Sequence, residues 1–265
     1  MSLSEASGAA HAVASVGASS STAGPPQGAS TPSGGSAAHA VASVGAFIFD
    51  MDGTMVDSMP SHSESWLLLA QRHGIEVDLP ELMRRTTGRT GLECMRILFD
   101  RDMPDAEAVA YVHEKETLYR ELFAPKFAEV YGFSTFASAA RARGLKIGVG
   151  TAGDRHNVAF VYANLKLRPL PEVAVGGDEG LPGKPDPAIF LEVARRLGVD
   201  PAQCIVFEDA PLGIEAARRA GMRAVGICTG HTPAQLAGDH VVAHANNFTE
   251  LMNNNFLEKH HVAKL

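Results

Sequence analysis

The stretch Ala46-Phe47-Ile48-Phe49-Asp50-Met51-Asp52-Gly53-Thr54 runs four apolar residues straight into two carboxylates and a glycine. An unbroken apolar run of this length suits a strand buried on both faces of a parallel sheet. Gly53 lets the chain turn sharply just past the strand end. Two acids separated by one residue can divide labour there, one attacking and the other moving a proton. The competing reading of Asp-x-Asp-Gly is a calcium loop, which needs further oxygen ligands at alternate positions and a closing Glu between two helices. Those ligands are missing, and the preceding element reads as a strand.

Working outward, similar runs recur at Leu145–Gly150, Val173–Gly176, Ile205–Phe207, Ala224–Ile227 and His240–Ala243, with polar turns and helical patterns between them. This alternation predicts an α/β fold, a Rossmann-like parallel sheet covered on both faces. Asp186 is placed to cap a helix with Pro187 in its first turn and Gly198 at its end; Pro211 opens another that Gly221 closes. From Met59 to about Pro125 the pattern changes to helices alone, at Ser61–His73, Leu79–Arg85, Gly91–Phe99 and Asp105–Phe123. Trp66, Leu69 and Ala70 form an apolar stripe in the first of these. Inserted after the first strand, such a segment is expected to stand as an α-helical cap over the carboxyl ends of the sheet, where ligands bind in this class of fold.

The expected organisation is a low-complexity leader at 1–40, a catalytic core at 41–58 and 126–252, a helical cap at 59–125 and a tail at 253–265. The leader, rich in Ala, Ser, Gly and Pro, lacks a periodic apolar face and is expected to be disordered. It carries a repeat, Ala9–Ala18 and again Ala37–Ala46, which reads as an inert duplication or as a targeting arm.

A net charge of −7 argues against nucleic-acid or anionic-membrane surfaces, while leaving room for a small phosphorylated substrate. The cysteines Cys94, Cys204 and Cys228 have no paired spacing, no apolar run is long enough to span a bilayer, and the first Lys or Arg is Arg72. These features lead to the expectation of a reduced, cytoplasmic, monomeric protein.

Three further strand ends carry complementary groups. Thr151 opens Thr-Ala-Gly-Asp, Lys184 precedes Pro185-Asp186-Pro187, and Glu208 and Asp209 close the run Cys204–Phe207. Each alone is weak. Together, strands ending in Asp, Thr, Lys and Glu-Asp make one charge-balanced site for phosphate and metal, since adjacent buried carboxylates repel and want a cation.

These four elements resemble the motifs of the haloacid dehalogenase superfamily over nearly all of Phe47 to Leu251. The resemblance implies Asp50 as the nucleophile that forms an aspartyl-phosphate and Asp52 as acid and base. It implies that Thr151 and Lys184 hold the phosphoryl group. Mg²⁺ would be held by Asp50, the Asp52 main-chain carbonyl and Asp209, with Glu208 alongside. Asp52 separates the chain from true dehalogenases, which need neither this acid nor a metal.

Within that superfamily, Asp57-Ser58-Met59-Pro60-Ser61-His62 with Trp66, and Phe207 to Ile214, look similar to β-phosphoglucomutase-like enzymes and sugar-phosphate phosphatases. Substrate contacts are then expected from Gly53, His62, Arg89, Ala152 and Gly153, with a surface role for His62 as the alternative. The mutases carry an Arg three positions after a cap-loop Gly and a Lys two positions after a cap-helix Tyr. Counting from Gly88 and Tyr119 puts Gly91 and Glu121 there, with Arg89 displaced. The expectation is a phosphatase acting on a small phosphorylated metabolite. A β-phosphoglucomutase and a non-catalytic module of the same fold are the alternatives, the last disfavoured by the completeness of the motif set.

Overall fold

The computed structural model describes residues 43–260, so the leader expected at 1–40 lies outside the described residues. Six parallel strands, β1 (Ala46–Phe49), β2 (Lys146–Gly150), β3 (Val173–Val175), β4 (Cys204–Glu208), β5 (Arg223–Ile227) and β6 (Val241–Ala245), form one sheet ordered β3-β2-β1-β4-β5-β6. The chain steps outward from β1 to β3, then returns across β1 to build β4, β5 and β6. The order therefore reverses between β1 and β4, and the crevice beyond their carboxyl ends is where this class of sheet binds ligands. Asp50 follows β1, and Glu208 ends β4 with Asp209 directly after it.

Every residue of β1 and β4 is buried, and alternate side chains serve opposite layers. Phe47, Phe49 and Phe207 pack with Phe133 and Phe136 of α5 (Phe133–Ala142) and Phe248 of α9 (Phe248–Asn253). Phe49 and Phe207 stack with ring centroids 4.6 Å apart. On the other face Ile48 and Val206 meet Ile189, Phe190 and Val193 of α7 (Ala188–Leu197) and Ile214 and Ala217 of α8 (Pro211–Arg219). Gly148 lets α7 sit close, because a Cβ there would lie 2.4 Å from Val193 Cγ1. At the start of α7, Asp186 Oδ1 accepts the Ala188 N–H at 2.9 Å, but the cap position belongs to Pro187, one residue later than expected.

Four helices separate β1 from α5: α1 (Met59–Arg72), α2 (Leu79–Thr86), α3 (Gly91–Leu98) and α4 (Asp105–Phe123). They hold their own hydrophobic cluster of Trp66, Leu69, Leu82, Met95, Leu98 and Leu118. The two chain segments leading into and out of this cap pair as a short antiparallel ribbon. Val56 bridges Glu129, Asp57 N–H donates to Ala128 O at 2.9 Å, and Val130 N–H donates to Met55 O at 3.0 Å.

Residues 261–265 of the expected tail, 253–265, lie outside the described residues; the rest of it differs from the expectation. Residues 256–259 form α10 (Phe256–Lys259), and Phe256 and Leu257 are buried in the phenylalanine layer, Phe256 lying 6.1 Å from Phe47 ring to ring. The polar Asn253-Asn254-Asn255 run hides this: Asn255 adopts φ 55°, a left-handed conformation that Asn tolerates, and turns the chain back onto the core. Phe256→Ala is expected to cost about 3–5 kcal/mol, the usual loss for a buried phenylalanine. Urea unfolding measures it; a loss under about 1 kcal/mol would mean that α10 is dispensable to the core.

Candidate active site

Asp50 leaves β1 with its N–H bonded to Phe207 O at 2.9 Å, which fixes it beside the end of β4. Lys184 Nζ reaches it from the loop before α7, donating to Asp50 Oδ1 at 2.5 Å and to Glu208 Oε1 at 2.6 Å. Lys184, Glu208 and Asp209 are almost fully buried, and Asp50 is only 7% exposed. Asp50, Glu208 and Asp209 bring carboxylate oxygens within 4.8 Å of one another. One ammonium faces three acids. Burial, with repulsion from Glu208 and Asp52 and against the pull of Lys184, pushes the Asp50 pKa up to about 8. Burial and the charges of Glu208 and Asp50 likewise raise Asp209. Lys184 is held charged: burial opposes its ammonium, but Asp50 and Glu208 raise its pKa. The site is short of positive charge, and its oxygen donors suit a hard divalent cation.

Two glycines make this density possible. A Cβ on Gly53, at φ 82°, would sit 2.3 Å from Asp209 Oδ2, and one on Gly213 would sit 1.8 Å from Glu208 Oε1. Asp209 is also held through its main chain, where His231 Nδ1 donates to its carbonyl at 2.8 Å. Thr229 Oγ1 donates to Gly53 O at 2.6 Å.

Asp52 has different surroundings. Its Oδ1 accepts from Ser58 Oγ at 2.7 Å and Tyr119 Oη at 3.0 Å, and His62 Nε2 lies 3.0 Å from the same oxygen. A Cβ on Gly153 would lie 3.5 Å from Asp52 Oδ2, so the second oxygen faces the Thr151–Gly153 loop. Burial raises the Asp52 pKa, but His62, Ser58 and Tyr119 outweigh it and bring it down to about 2. The Asp52 carboxylate is thus turned away from the acid cluster, and only its main-chain carbonyl is left for the metal role expected of it. Thr151 ends β2, buried, with its Oγ1 accepting the Gly153 N–H at 3.0 Å.

A buried polar chain runs on from His62 across the cap–core seam. Lys115 Nζ donates to His62 Nδ1 at 2.6 Å and to Glu116 Oε1 at 3.0 Å. An ammonium has no acceptor, so His62 Nδ1 is the acceptor of that bond. Burial raises the Glu116 pKa, but the Lys115 charge prevails and lowers it. Glu116 Oε2 accepts from Asn157 Nδ2 at 2.6 Å, and Asn157 Oδ1 accepts from Arg120 at 2.7 Å. Asn157 lies in α6 (Arg155–Asn164), the helix that follows Thr-Ala-Gly-Asp.

Asp50, Asp52, His62, Lys115, Glu116, Thr151, Lys184, Glu208 and Asp209 border one cavity of about 640 Å³ between core and cap. Of the residues expected to contact substrate, His62, Arg89, Ala152 and Gly153 line it, whereas Gly53 does not. Arg89 is committed, however: its Nε donates to Arg85 O at 2.9 Å, and its Nη1 lies 3.5 Å from Glu93. Gly91 also lines the cavity, against Val112, whose Cγ2 would lie 2.9 Å from a Cβ there. Glu121 is exposed on α4 and does not border the cavity. The buried lysine of α4 is Lys115, earlier on the same helix. Sequence reading passed over Ser58, Lys115 and Tyr119 as site groups. The available signal was Lys115 and Tyr119 four residues apart on the buried stripe beside Leu118.

Lys115→Met leaves the Glu116 carboxylate buried without its cation and is expected to cost about 3–5 kcal/mol in urea unfolding. The double variant Lys115→Met/Glu116→Gln should regain part of that loss. Equal losses in both would mean that Lys115 stabilises through His62 or Trp66 instead.

The family described as haloacid dehalogenase-like hydrolase matches residues 44–221. The validoxylamine A 7'-phosphate phosphatase of Streptomyces hygroscopicus subsp. limoneus is 34% identical over 72% of this chain and 88% of its own. The fructose-1-phosphate phosphatase of Escherichia coli is 32% identical over 68% of this chain and 94% of its own. Among solved structures, β-phosphoglucomutase from Clostridium difficile superposes with a TM-score of 0.71 at 25% identity, covering 82% of this chain and 97% of that one. A complete set of strand-end motifs on a switch-point sheet, with matches of this length, places the chain in the haloacid dehalogenase-like hydrolase family.

Proposed function

We propose that this protein is a magnesium-dependent phosphatase that hydrolyses a small phosphorylated metabolite, a sugar phosphate or a close analogue, through an aspartyl-phosphate on Asp50. The observation that carries the reading is the contrast between two acids on one turn. Asp50 sits against Lys184 and the acid cluster, whereas Asp52 is gripped through Oδ1 by Ser58, Tyr119 and His62 with Oδ2 directed at the Thr151–Gly153 loop. Groups placed in opposed environments take opposed roles.

Magnesium would be held by Asp50 and Asp209, beside Glu208 and with the Asp52 main-chain carbonyl, and when bound would neutralise phosphoryl charge. The rest is the work of the chain's own groups. Lys184 orients Asp50, whose oxygen attacks phosphorus as the ester P–O bond breaks. A phosphate monoester, with a second pKa near ~6, brings a proton that Asp52 Oδ2 shares and passes to the departing oxygen. Asp52 then takes a proton from the water that cleaves the aspartyl-phosphate. Thr151 Oγ1 and the Ala152 and Gly153 loop cradle the transferring group.

A mutase reading rests on the likeness to β-phosphoglucomutase. Against it, Gly91 is sterically closed by Val112, and both Arg89 and Lys115 are already engaged.

Asp50→Asn should abolish phosphate release, as should chelation of magnesium, with the fold unchanged by circular dichroism. Near wild-type turnover, with deamidation excluded by mass, would remove Asp50 as nucleophile. Given β-glucose 1-phosphate, a bisphosphate primer and magnesium, free phosphate should exceed glucose 6-phosphate; the reverse ratio would make the protein a mutase.

A further inference from the structure

The cap side of the active-site cavity is walled by Met83 of α2, Leu92 of α3, and Val109 and Val112 of α4. Met83, Leu92 and Val112 also pack against the cap's own hydrophobic cluster, but none of the four is fully buried. Val109 is 41% exposed, and the other three are half-buried. Apolar side chains converging from three helices on one cavity are poor company for a shell of hydroxyl groups and water.

The same wall offers little to a charged group. Arg89 is taken by Arg85 O and Glu93, and Lys115 by His62 and Glu116. His113, the remaining basic residue of the wall, faces His156 across the seam with ring centroids 6.1 Å apart, and Asp105 shares its helix. On the core side Arg155 lies 3.9 Å from Asp178. The volume is also generous. At about 30 Å³ for each water-sized group, the cavity of about 640 Å³ holds roughly twenty, more than a hexose phosphate supplies.

Resting on the phosphatase reading above, we propose that the alcohol half of the substrate is uncharged, larger than one hexose ring, and carries an apolar face or chain that packs on Met83, Leu92, Val109 and Val112. The substrate class is then the monophosphate of a sugar derivative or sugar analogue whose uncharged alcohol half carries an apolar substituent. Bisphosphates and compact polyol phosphates are poor members of it.

The test is a series of methyl, butyl and hexyl phosphate with magnesium, and fructose 1-phosphate against fructose 1,6-bisphosphate. kcat/KM should rise about fourfold for each methylene that becomes buried, through KM more than kcat, and the bisphosphate should be the poorer of its pair. A flat series, or preference for the bisphosphate, overturns the proposal. Val109→Asp should lower the hexyl-to-methyl ratio at least threefold; Leu92→Thr should lower it in the same direction if the first variant melts early. An unchanged ratio in both overturns the proposal as well. Absence of hydrolysis for every ester would instead sink the phosphatase reading. The chamber would then be read by calorimetric binding of the same esters to the Asp50→Asn protein, where hexyl phosphate must bind tighter than methyl phosphate for the proposal to stand.

Discussion

The ammonium of Lys184, buried between Asp50 and Glu208, is the contact on which the rest of the site depends. Parallel strands bring their carboxyl ends together at the switch point, and here two neighbouring strands end in acids. Without a cation among them, burial and mutual repulsion would protonate these groups or drive them apart. Lys184 reaches them from the loop before α7 and lies 4.9 Å over the Phe190 ring, so one helix both covers the sheet and positions the charge. Its single charge does not balance three carboxylates, and burial together with that deficit raises the pKa values of Asp50 and Asp209.

The second acid is managed by different means. Asp52 receives no nearby ammonium; it receives oriented donors, two of them from the cap helices α1 and α4, and these come with a supporting chain of Lys115, Glu116 and Asn157. The cap therefore takes part in the electrostatics of the core. Each link in that chain has a partner, which is what a buried polar network needs if it is to rigidify the fold and not weaken it.

The core was legible in sequence because its signals were local. Phe47 to Thr54 carries a buried strand, a turn and two acids within eight residues, and the ends of β2 and β4 repeat that grammar with Thr151, Glu208 and Asp209; Lys184, expected at a strand end, stands instead in the loop before α7, well past the end of β3 at Val175. His62 was reachable only through resemblance. Lys115, Tyr119 and Glu116 were not read as site groups, since a lysine and a tyrosine on an amphipathic helix look alike whether they meet solvent or a catalytic acid; only the packing of α4 on α1 tells them apart. The Asn-rich stretch before Phe256 misled for a related reason. Composition suggested a tail, while one left-handed asparagine returned the chain to the core. Counting from Tyr119 led to exposed Glu121 and past Lys115, because counting along a helix cannot decide which face a neighbouring domain will cover.

The paired linkers between core and cap have a mechanical meaning. Had the cap hung from a single strand, it could swivel, and His62 and Tyr119 could approach Asp52 from many directions. Met55–Asp57 and Ala128–Val130 instead run antiparallel and share backbone hydrogen bonds. A two-strand strap of this kind flexes across its flat side more easily than it twists or shears. A cap tied to the core through two bonded strands, the way a door hangs on a piano hinge, has one easy axis of rotation, and the groups from α1 and α4 are thereby aimed at a single carboxylate oxygen.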